Sequence, residues 1–395
     1  LAEARFAAAL GAAPWQDLAT VPLPEAEPPT RPDSASLPAS LPLDPEAIGL
    51  VLYTSGSTGR PKGAMLPVRQ LATNAVATVD AWGLTPDDVA AVSTPFFHTG
   101  GWNVFALPLW WIGGTVVLVD GFDPPRWLPM LQAEGCTVAF AVPTQLALVA
   151  DAPTFGAPVP ALRWIIAGGA PCPAALQRRF REAGYAVREG FGMTEFGPNC
   201  FTVREGRADA PPGWVGWPVP FAEMRLVDEA GRDVPDGTPG ELWLRGPQRF
   251  AGYLLDPERT AEAIHAEGWY RSGDVLVRDA EGAYRVFGRR KEMFISGGEN
   301  VYPGEVEAAL VEHPAVSEAV VVAMADATWG EVGCAFVVPR TGTPLDASTL
   351  IAHARERLAG YKVPRRVEVL SDLPRLGSGK ADRRALEARL TATTS

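Results

Sequence analysis

A loop of small and hydroxyl residues is the strongest chemical signal in the sequence. Residues 53–63 read YTSGSTGRPKG. Glycines let backbone N–H groups approach an anion closely, and hydroxyl groups add further donors. Lys62 adds a cation, although Gly63 follows it where a Walker A loop has Ser or Thr. We predict a phosphate-binding loop rather than a flexible surface linker, because the apolar run 49–53 reads as a buried strand that leads into it.

The loop and seven later blocks resemble the adenylate-forming superfamily, which includes acyl- and aryl-CoA synthetases, adenylation domains of peptide synthetases and beetle luciferases. The resemblance runs from about residue 49 to the C-terminus. It implies that a carboxylate attacks the α-phosphorus of ATP to give an acyl-adenylate and pyrophosphate, and that coenzyme A then displaces AMP. ATP, Mg²⁺ and coenzyme A are therefore the implied cofactors and co-substrates. The later blocks are FHTGG (97–101), GGAP (168–171), FGMTE (191–195), GELWLRG (240–246), YRSGD (270–274), GRRK (288–291) and GSGK (377–380).

The resemblance also assigns residues to the nucleotide. Asp274 matches the residue that accepts hydrogen bonds from both ribose hydroxyls. Phe191 stands where the family usually has a Tyr stacked on adenine, so it keeps the stacking face and lacks the phenolic hydroxyl. Thr194 is expected to contact the α-phosphate. The predicted ATP-binding set is Thr54, Ser55, Gly56, Ser57, Thr58, Gly59, Lys62, Gly168, Gly169, Ala170, Phe191, Gly192, Asp274 and Arg289.

The implied first step brings one anion toward another. Two unit charges about 4 Å apart cost roughly 4 kcal/mol at an effective dielectric near 20. Left uncompensated, this repulsion slows attack about a thousandfold, so cations and aimed N–H donors must line the site. We predict Glu195 as the ligand of a magnesium ion that bridges phosphate oxygens. The predicted catalytic residues are Lys380, His98, Thr194 and Glu195.

These residues also have ordinary structural interpretations. Glu195 could be a surface carboxylate after a turn, Asp274 a turn-capping residue, and Lys380 a solvated lysine. His98 lies in an apolar stretch, where a satisfied core histidine is common. The resemblance instead makes His98 a gate or orienter beside the carboxylate and phosphate site. It makes Lys380 a lysine that bridges carboxylate and phosphate.

The resemblance further implies a moving C-terminal part. Lys291 matches the hinge position, where rotation exchanges the adenylation face of a lid for its thiolation face. Gly297 and Gly298 match the segment that borders the pantetheine tunnel, although a plain turn has the same composition. Trp102 and Gly192 are predicted to line the acyl pocket, and ordinary core packing is the alternative for Trp102.

Alternating helix-like and strand-like segments predict an α/β fold with mostly parallel, helix-covered sheets. Strands are expected at 115–119, 137–141, 163–167, 186–190 and 316–323. Helices are expected at 1–20, 67–81, 124–134, 143–150, 173–183, from Pro303, at 346–359 and at 381–391. A connector rich in Pro and Ser covers 21–47, and turn residues between 213 and 288 predict a small region of antiparallel ribbons. The predicted domains are 1–288, a large domain with phosphate loop 53–63, and 289–395, a small mobile α+β lid with its hinge near Lys291.

Composition excludes several classes of protein. The chain has 395 residues and a net charge of −11, which disfavours nucleic acid and anionic membranes as partners. The four cysteines form no CxxC pair, and no apolar run reaches membrane-spanning length. We therefore expect a cytoplasmic protein without an integral membrane segment, a carboxylic acid and coenzyme A as partners, and a homodimer as a candidate assembly.

The predicted function is an ATP-dependent, AMP-forming acid–CoA ligase for a fatty or other apolar acid. Aryl or succinylbenzoate-type CoA ligases, amino-acid adenylation enzymes and a non-catalytic nucleotide- or acyl-binding fragment are the alternatives. An amino-acid enzyme needs an acidic residue to hold the substrate amine. The fragment stays open because family members normally have more chain before the loop, and a part of about a hundred residues, the size of a small domain, is expected to be missing.

Overall fold

The structure is a computed structural model that describes residues 44–54, 61–202, 213–265, 267–340, 342–375 and 381–392. The elements given below belong to the unit that runs from Pro45 to Ser395. Some predictions fall on residues outside the described ranges. These are the helix over 1–20, most of the connector over 21–47, the phosphate-loop residues Ser55, Gly56, Ser57, Thr58 and Gly59, and Lys380.

An antiparallel hairpin carries the two ends of the phosphate loop. Its strands are β1 (Ile48–Thr54) and β2 (Lys62–Pro67), and their register places Thr54 opposite Lys62. The strand predicted before the loop is present, but it is only partly buried. Leu52 is buried but Tyr53 is exposed, because successive side chains of a strand point to opposite faces.

A parallel sheet of the order β4-β3-β5-β6-β7 forms the next layer. On one face its side chains pack with α4, α5 and α6, and on the other with α1 and α3. The alternation is visible in β6, where Ile165 belongs to the first cluster while Trp164 and Ile166 belong to the second. The elements are α1 (Val68–Trp82), β3 (Val89–Val92), α2 (Thr99–Asn103), α3 (Ala106–Ile112), β4 (Thr115–Leu118), α4 (Pro124–Ala133), β5 (Val138–Ala141), α5 (Pro143–Asp151), β6 (Trp164–Ala167), α6 (Ala174–Glu182) and β7 (Val187–Glu189).

The middle of the chain is mainly antiparallel, as its turn residues predict. Its elements are β8 (Phe201–Thr202), β9 (Trp214–Pro218), β10 (Glu223–Val227), β11 (Gly240–Arg245), β12 (Gly252–Tyr253), α7 (Pro257–Ala263), β13 (Tyr270–Arg278) and β14 (Tyr284–Arg289). Six of these strands form one sheet in the order β10-β11-β13-β14-β9-β8. The short strand β12 instead joins β2, so Tyr253 lies opposite Ala64 and close to the phosphate loop.

The C-terminal part builds a sheet of its own, in the order β16-β15-β18-β17, with β19 parallel to β18. One cluster joins α8 and α9 to this sheet through Val306, Leu310 and Leu350, and another joins α10 through Leu386 and Leu390. The elements are a 3₁₀ helix (Arg290–Glu292), β15 (Phe294–Ser296), β16 (Glu299–Val301), α8 (Pro303–Val311), β17 (Val316–Asp326), β18 (Gly330–Pro339), α9 (Ala347–Arg355), a 3₁₀ helix (Gly360–Lys362), β19 (Arg366–Val369) and α10 (Arg383–Ala392).

The predicted α/β class is confirmed, and Pro303 opens its helix as expected for a first-turn proline. Among the described residues, no helix is both long enough and apolar enough to cross a membrane. All four cysteines are buried with free thiols. The boundary at residue 288 between two domains stays a prediction.

Candidate active site

Loops from three parallel strands meet at one edge of the sheet. His98 follows β3, Gly168 follows β6 and Phe191 follows β7. The strands β6 and β7 are neighbours, and the backbone N–H of Gly190 donates to the carbonyl oxygen of Ala167 at 2.8 Å. Because the carboxyl ends of parallel strands form the usual ligand-binding edge of an α/β sheet, this edge is the first candidate for a site.

The loop that starts at Gly168 approaches its neighbours closely. A Cβ atom on buried Gly168 would lie 3.1 Å from the ring of Phe140, and Gly169 has a left-handed φ of 85°. Ala170 is exposed beside them. Partly buried Phe191 packs edge-to-face on Phe201 with ring centroids 5.6 Å apart. The loop and the ring are therefore fixed elements that suit the walls of a slot for a flat ligand.

The segment 191–195 is locked in place by backbone contacts. A Cβ atom on Gly192 would lie 2.2 Å from the carbonyl atoms of Pro198, so only glycine fits this position. Thr194 is buried, and its carbonyl oxygen accepts a hydrogen bond from Nε2 of Gln70 at 3.0 Å. The helix α1 thus holds the segment that presents Glu195.

A tyrosine joins the carboxylate of Glu195 to the phosphate-loop lysine. The hydroxyl of Tyr253 donates to Oε1 of Glu195 at 2.8 Å. Nζ of Lys62 lies 4.8 Å from the centroid of the same ring, within the range of a cation–π interaction. Burial, together with the nearby Glu195 charge, raises the pKa of Tyr253 well above its usual range, so its hydroxyl remains a donor.

Asp274 and Arg289 form a pair across β13 and β14. They are opposite in register, and Nε of Arg289 lies 2.9 Å from Oδ1 of the buried Asp274 carboxylate. The Asp274 charge raises the pKa of Arg289. A second pair lies next to it, because Nη1 of Arg290 donates to buried Glu241 at 2.7 Å. Acidic groups therefore hold the two guanidinium groups at the end of β14 and just after it.

Positive charge collects where the 3₁₀ helix begins. Loss of hydration, together with the Arg289 guanidinium and Lys62, lowers the pKa of Lys291. The Glu195 and Asp274 carboxylates act on the pKa of the same Arg289. Three cations and two carboxylates from distant parts of the sequence therefore share one electrostatic neighbourhood, as required for a ligand that carries phosphate and metal.

His98 begins the short helix α2. Its Nδ1 accepts a hydrogen bond from the backbone N–H of Gly100 at 3.0 Å, so the proton of the neutral ring lies on Nε2. Trp102 lies one turn further on. Its ring stacks edge-to-face with Phe96, centroids 4.7 Å apart, and with Trp110, centroids 6.5 Å apart. An exposed imidazole therefore adjoins an aromatic wall.

Gly297 and Gly298 form the turn between β15 and β16. Both have left-handed φ angles, 60° and 88°, as a two-residue hairpin turn requires. A Cβ atom on Gly297 would lie 2.4 Å from the indole of Trp329. The turn geometry explains both glycines, and their role at a tunnel stays a prediction.

Two polar residues of this region were not predicted from the sequence. One is Tyr253. The other is Glu189, whose buried carboxylate accepts hydrogen bonds from the backbone N–H groups of Cys172, at 2.7 Å, and of Gly213. Burial outweighs these hydrogen bonds and raises the pKa of Glu189 to about 7. Its position two residues before Phe191 was the available signal.

The donor set fits a magnesium ion that arrives with a nucleotide. Within the described part of the chain, no group of three or more His, Cys, Asp or Glu side chains could hold a metal ion. Mg²⁺ typically takes one or two carboxylates and completes its shell with water and substrate phosphates. The single carboxylate of Glu195 beside Lys62 meets that requirement.

Comparisons with known proteins agree with this arrangement. The model of the AMP-binding enzymes matches residues 8–254, and that of their C-terminal domain matches residues 305–380. A feruloyl-CoA synthase from Amycolatopsis is 42% identical over 344 residues, covering 87% of this chain and 70% of that protein. An indoleacetate–CoA ligase from Aromatoleum aromaticum is 38% identical over 360 residues, covering 90% and 70%. The solved o-succinylbenzoate CoA synthetase of Bacillus subtilis with ATP and magnesium has a TM-score of 0.79 at 33% identity, covering 87% and 71%.

Fold, edge loops and charges define an α/β enzyme that handles a phosphorylated ligand. The chain belongs to the family of AMP-binding enzymes. The predicted adenylate-forming superfamily and the predicted class, an AMP-forming acid–CoA ligase, are both confirmed. The same holds for ATP, Mg²⁺ and coenzyme A as requirements of that class.

Proposed function

We propose that the protein activates an apolar carboxylic acid as its acyl-adenylate and then transfers the acyl group to coenzyme A. A carboxylate oxygen attacks the α-phosphorus of ATP, and pyrophosphate leaves. The thiolate sulfur of coenzyme A then attacks the acyl carbon, and AMP leaves with the bonding electron pair. The observation that carries this proposal is the convergence of Lys62, Lys291, Arg289, Glu195 and Asp274 beside the edge loops.

The triphosphate end is assigned to the hairpin and to segment 191–195. Lys62 would neutralise phosphate charge at the end of the loop that starts at Thr54, and the loop residues between them would donate N–H groups. Buried Thr194 would contact the α-phosphate. Glu195 would hold a magnesium ion, which when bound neutralises phosphate charge and orients the leaving pyrophosphate. These charges offset the repulsion of about 4 kcal/mol between carboxylate and phosphate.

The nucleoside end is assigned to the edge loops and to β13. Gly168, Gly169 and Ala170 would form one wall of an adenine slot, and Phe191 the other. Asp274 would accept hydrogen bonds from the ribose hydroxyls while Arg289 holds its carboxylate in place through their 2.9 Å contact. A carboxylate that already holds a guanidinium on one oxygen is well fixed for that task.

Residues 289–395 are proposed as the lid. Lys291 lies in the 3₁₀ helix that follows β14 and is the proposed hinge, so a change in its backbone angles would turn the whole C-terminal sheet. Lys380 would neutralise the reacting carboxylate and phosphate in the first state. Gly297 and Gly298 would border the pantetheine chain in the second state, because residues without side chains leave room for it.

The acid is proposed to carry an aromatic ring in preference to a straight alkyl chain. The finding behind this choice is the edge-to-face row Phe96–Trp102–Trp110 next to His98. Such rings favour another ring in the same geometry by roughly 0.5–1.5 kcal/mol. Trp102 also belongs to the hydrophobic cluster of Phe191, which connects the row to the nucleotide end. The names of the two curated relatives, which act on feruloyl and indoleacetate groups, support the same choice.

The test compares acids of different shape on the wild type and on two tryptophan variants. The panel contains a phenylpropenoic acid, octanoate, phenylalanine and acetate, with Mg-ATP and coenzyme A. We expect the highest kcat/KM for the phenylpropenoic acid. Trp102→Ala should lower that kcat/KM by about 10-fold or more, because it removes an apolar contact of roughly 1–3 kcal/mol. The kcat/KM for acetate should stay nearly unchanged, since acetate does not reach the aromatic row.

Trp217→Ala, on β9, is the matched control, because its indole donates to the carbonyl oxygen of Glu281 and does not belong to the hydrophobic cluster of Trp102. A preference for octanoate contradicts the aromatic choice. A preference for phenylalanine identifies an amino-acid adenylation enzyme. A folded chain that binds ATP and turns over none of the acids is a nucleotide-binding fragment.

We further propose that the protein is cytoplasmic and that it has no nucleic-acid partner. A homodimer is the oligomeric state that we propose to test. The net charge of −11 and the four free thiols support the first two statements. Sedimentation of the purified chain at two concentrations tests the third.

A further inference from the structure

Tyr253 occupies a position between two groups of opposite charge. Its hydroxyl donates to Oε1 of Glu195 at 2.8 Å, and its ring lies 4.8 Å below Nζ of Lys62. Among the described residues, no second hydrogen bond to the Glu195 carboxylate is present. One oxygen of the carboxylate is therefore fixed, and the other remains for a ligand.

The phenol is itself held on several sides. The backbone N–H of Tyr253 donates to Oγ1 of Thr260 at 2.8 Å, and its ring packs edge-to-face on Phe250 with centroids 4.9 Å apart. The backbone N–H of Phe250 in turn donates to the carbonyl oxygen of Glu195 at 2.8 Å. These contacts fix the ring of Tyr253 relative to both groups that it contacts.

We propose that Tyr253 is a positioning residue that keeps Lys62 and Glu195 apart and orients Glu195 for the magnesium–triphosphate. A lysine and a glutamate beside the same ring would otherwise approach and form an ion pair. Such a pair would remove a cation from the phosphates and a ligand from the metal at the same time. This inference rests on the proposed function, in which Glu195 binds magnesium and Lys62 binds phosphate.

The experiment measures binding and does not depend on turnover. Tyr253→Phe keeps the ring above which Lys62 lies and removes only the hydroxyl. Calorimetric titration with a non-hydrolysable ATP analogue and Mg²⁺ should show about 10-fold weaker binding, the lower end for loss of a partner that orients a metal ligand. AMP binding without metal should change less than twofold, which also reports that the variant is folded.

Tyr284→Phe is the matched control, because Tyr284 is equally buried but lies on β14 next to Arg278. Its binding of the magnesium–analogue complex should equal that of the wild type. Equal loss in both tyrosine variants overturns the proposal, since it would reflect a general effect of removing a buried hydroxyl.

A double-mutant cycle with Glu195→Gln separates this inference from the proposed function. If Tyr253 acts through Glu195, Tyr253→Phe adds nothing in the Glu195→Gln background, whereas additive losses overturn the inference. If Tyr253→Phe binds normally but Glu195→Gln does not, the inference fails and the proposed metal role of Glu195 stands. If Glu195→Gln itself binds the magnesium–analogue complex like the wild type, that metal role fails and the inference fails with it.

Discussion

Replacement of Glu189 by glutamine should change how the stability of the protein depends on pH. Glu189 lies at the end of β7 and joins two loops through the backbone N–H groups of Cys172 and Gly213. Its carboxyl is buried, and this burial raises its pKa from 4.5 to about 7. Glutamine has nearly the same shape and no titrating proton, so Glu189→Gln removes the pH dependence of this site.

The sign and size follow from proton binding in the two states. Between pH 4.5 and pH 7 the folded chain holds a proton on Glu189 that the unfolded chain has released, so stability falls as pH rises. One pKa unit corresponds to about 1.36 kcal/mol. Relative to Glu189→Gln, the wild type should therefore lose about 2.5 kcal/mol of unfolding free energy between about pH 5 and pH 8.

The assay is urea unfolding of both proteins, followed by circular dichroism at several pH values from 5 to 8. Glu182→Gln is the control, because Glu182 is an exposed carboxylate at the end of the neighbouring helix α6. Its free-energy difference from the wild type should stay constant within about 0.5 kcal/mol, as for most surface substitutions. If the Glu189→Gln curve runs parallel to the wild-type curve, the raised pKa of Glu189 is refuted.

Three further changes test local features of the structure. Gly192→Ala places a Cβ atom 2.2 Å from the Pro198 carbonyl. It should lower the unfolding free energy measured in urea by roughly 1–3 kcal/mol and abolish most acid-dependent pyrophosphate release. Normal values for both would contradict the tight turn. Leu255→Asn should stabilise the chain by roughly 0.5–1 kcal/mol in thermal unfolding. Leu255 is 94% exposed and has a left-handed φ of 54°, which asparagine tolerates better. A lower melting temperature of the variant would argue against backbone strain at this position. Asp88→Asn should lower the unfolding free energy measured in urea by about 2 kcal/mol. The reason is that buried Asp88 accepts two hydrogen bonds from partly exposed Arg163. An unchanged urea midpoint would show that this pair does not stabilise the fold.

Much of the fold follows from local sequence patterns. The four predicted strands between 115 and 190 match β4, β5, β6 and β7 within one residue at each end, because continuous apolar runs between turn residues are typical of buried parallel strands. The strand β3 was missed, since Ala90 and Ala91 carry little preference for strands. The burial of the strand before the phosphate loop was overestimated. An apolar run does not reveal which of its side chains the rest of the fold covers.

The sequence singles out residues that stand in a motif of their own, and it does not reveal residues that contact the candidate site from a distant position in the chain. Glu195, Asp274 and Lys62 were selected because small residues flank them in recognisable blocks, and their roles stay predictions. Tyr253 lies 58 positions from Glu195 in the sequence. It belongs to the two-residue strand β12, and nothing in that short segment indicates the contact. Glu189 was missed for the same reason. Its partners are the backbone N–H groups of Cys172 and Gly213, which the sequence does not reveal, so its position two residues before Phe191 was the one signal.

The most direct measurement of the central claim is pyrophosphate release by the purified chain with Mg-ATP and its preferred acid, with and without coenzyme A. We predict release that depends on the acid, and acyl-CoA that appears only when coenzyme A is added. Lys380→Ala should lose the acid-dependent release and still convert a preformed acyl-adenylate and coenzyme A to acyl-CoA. A folded wild-type chain that binds ATP but releases no pyrophosphate with any acid would contradict the account.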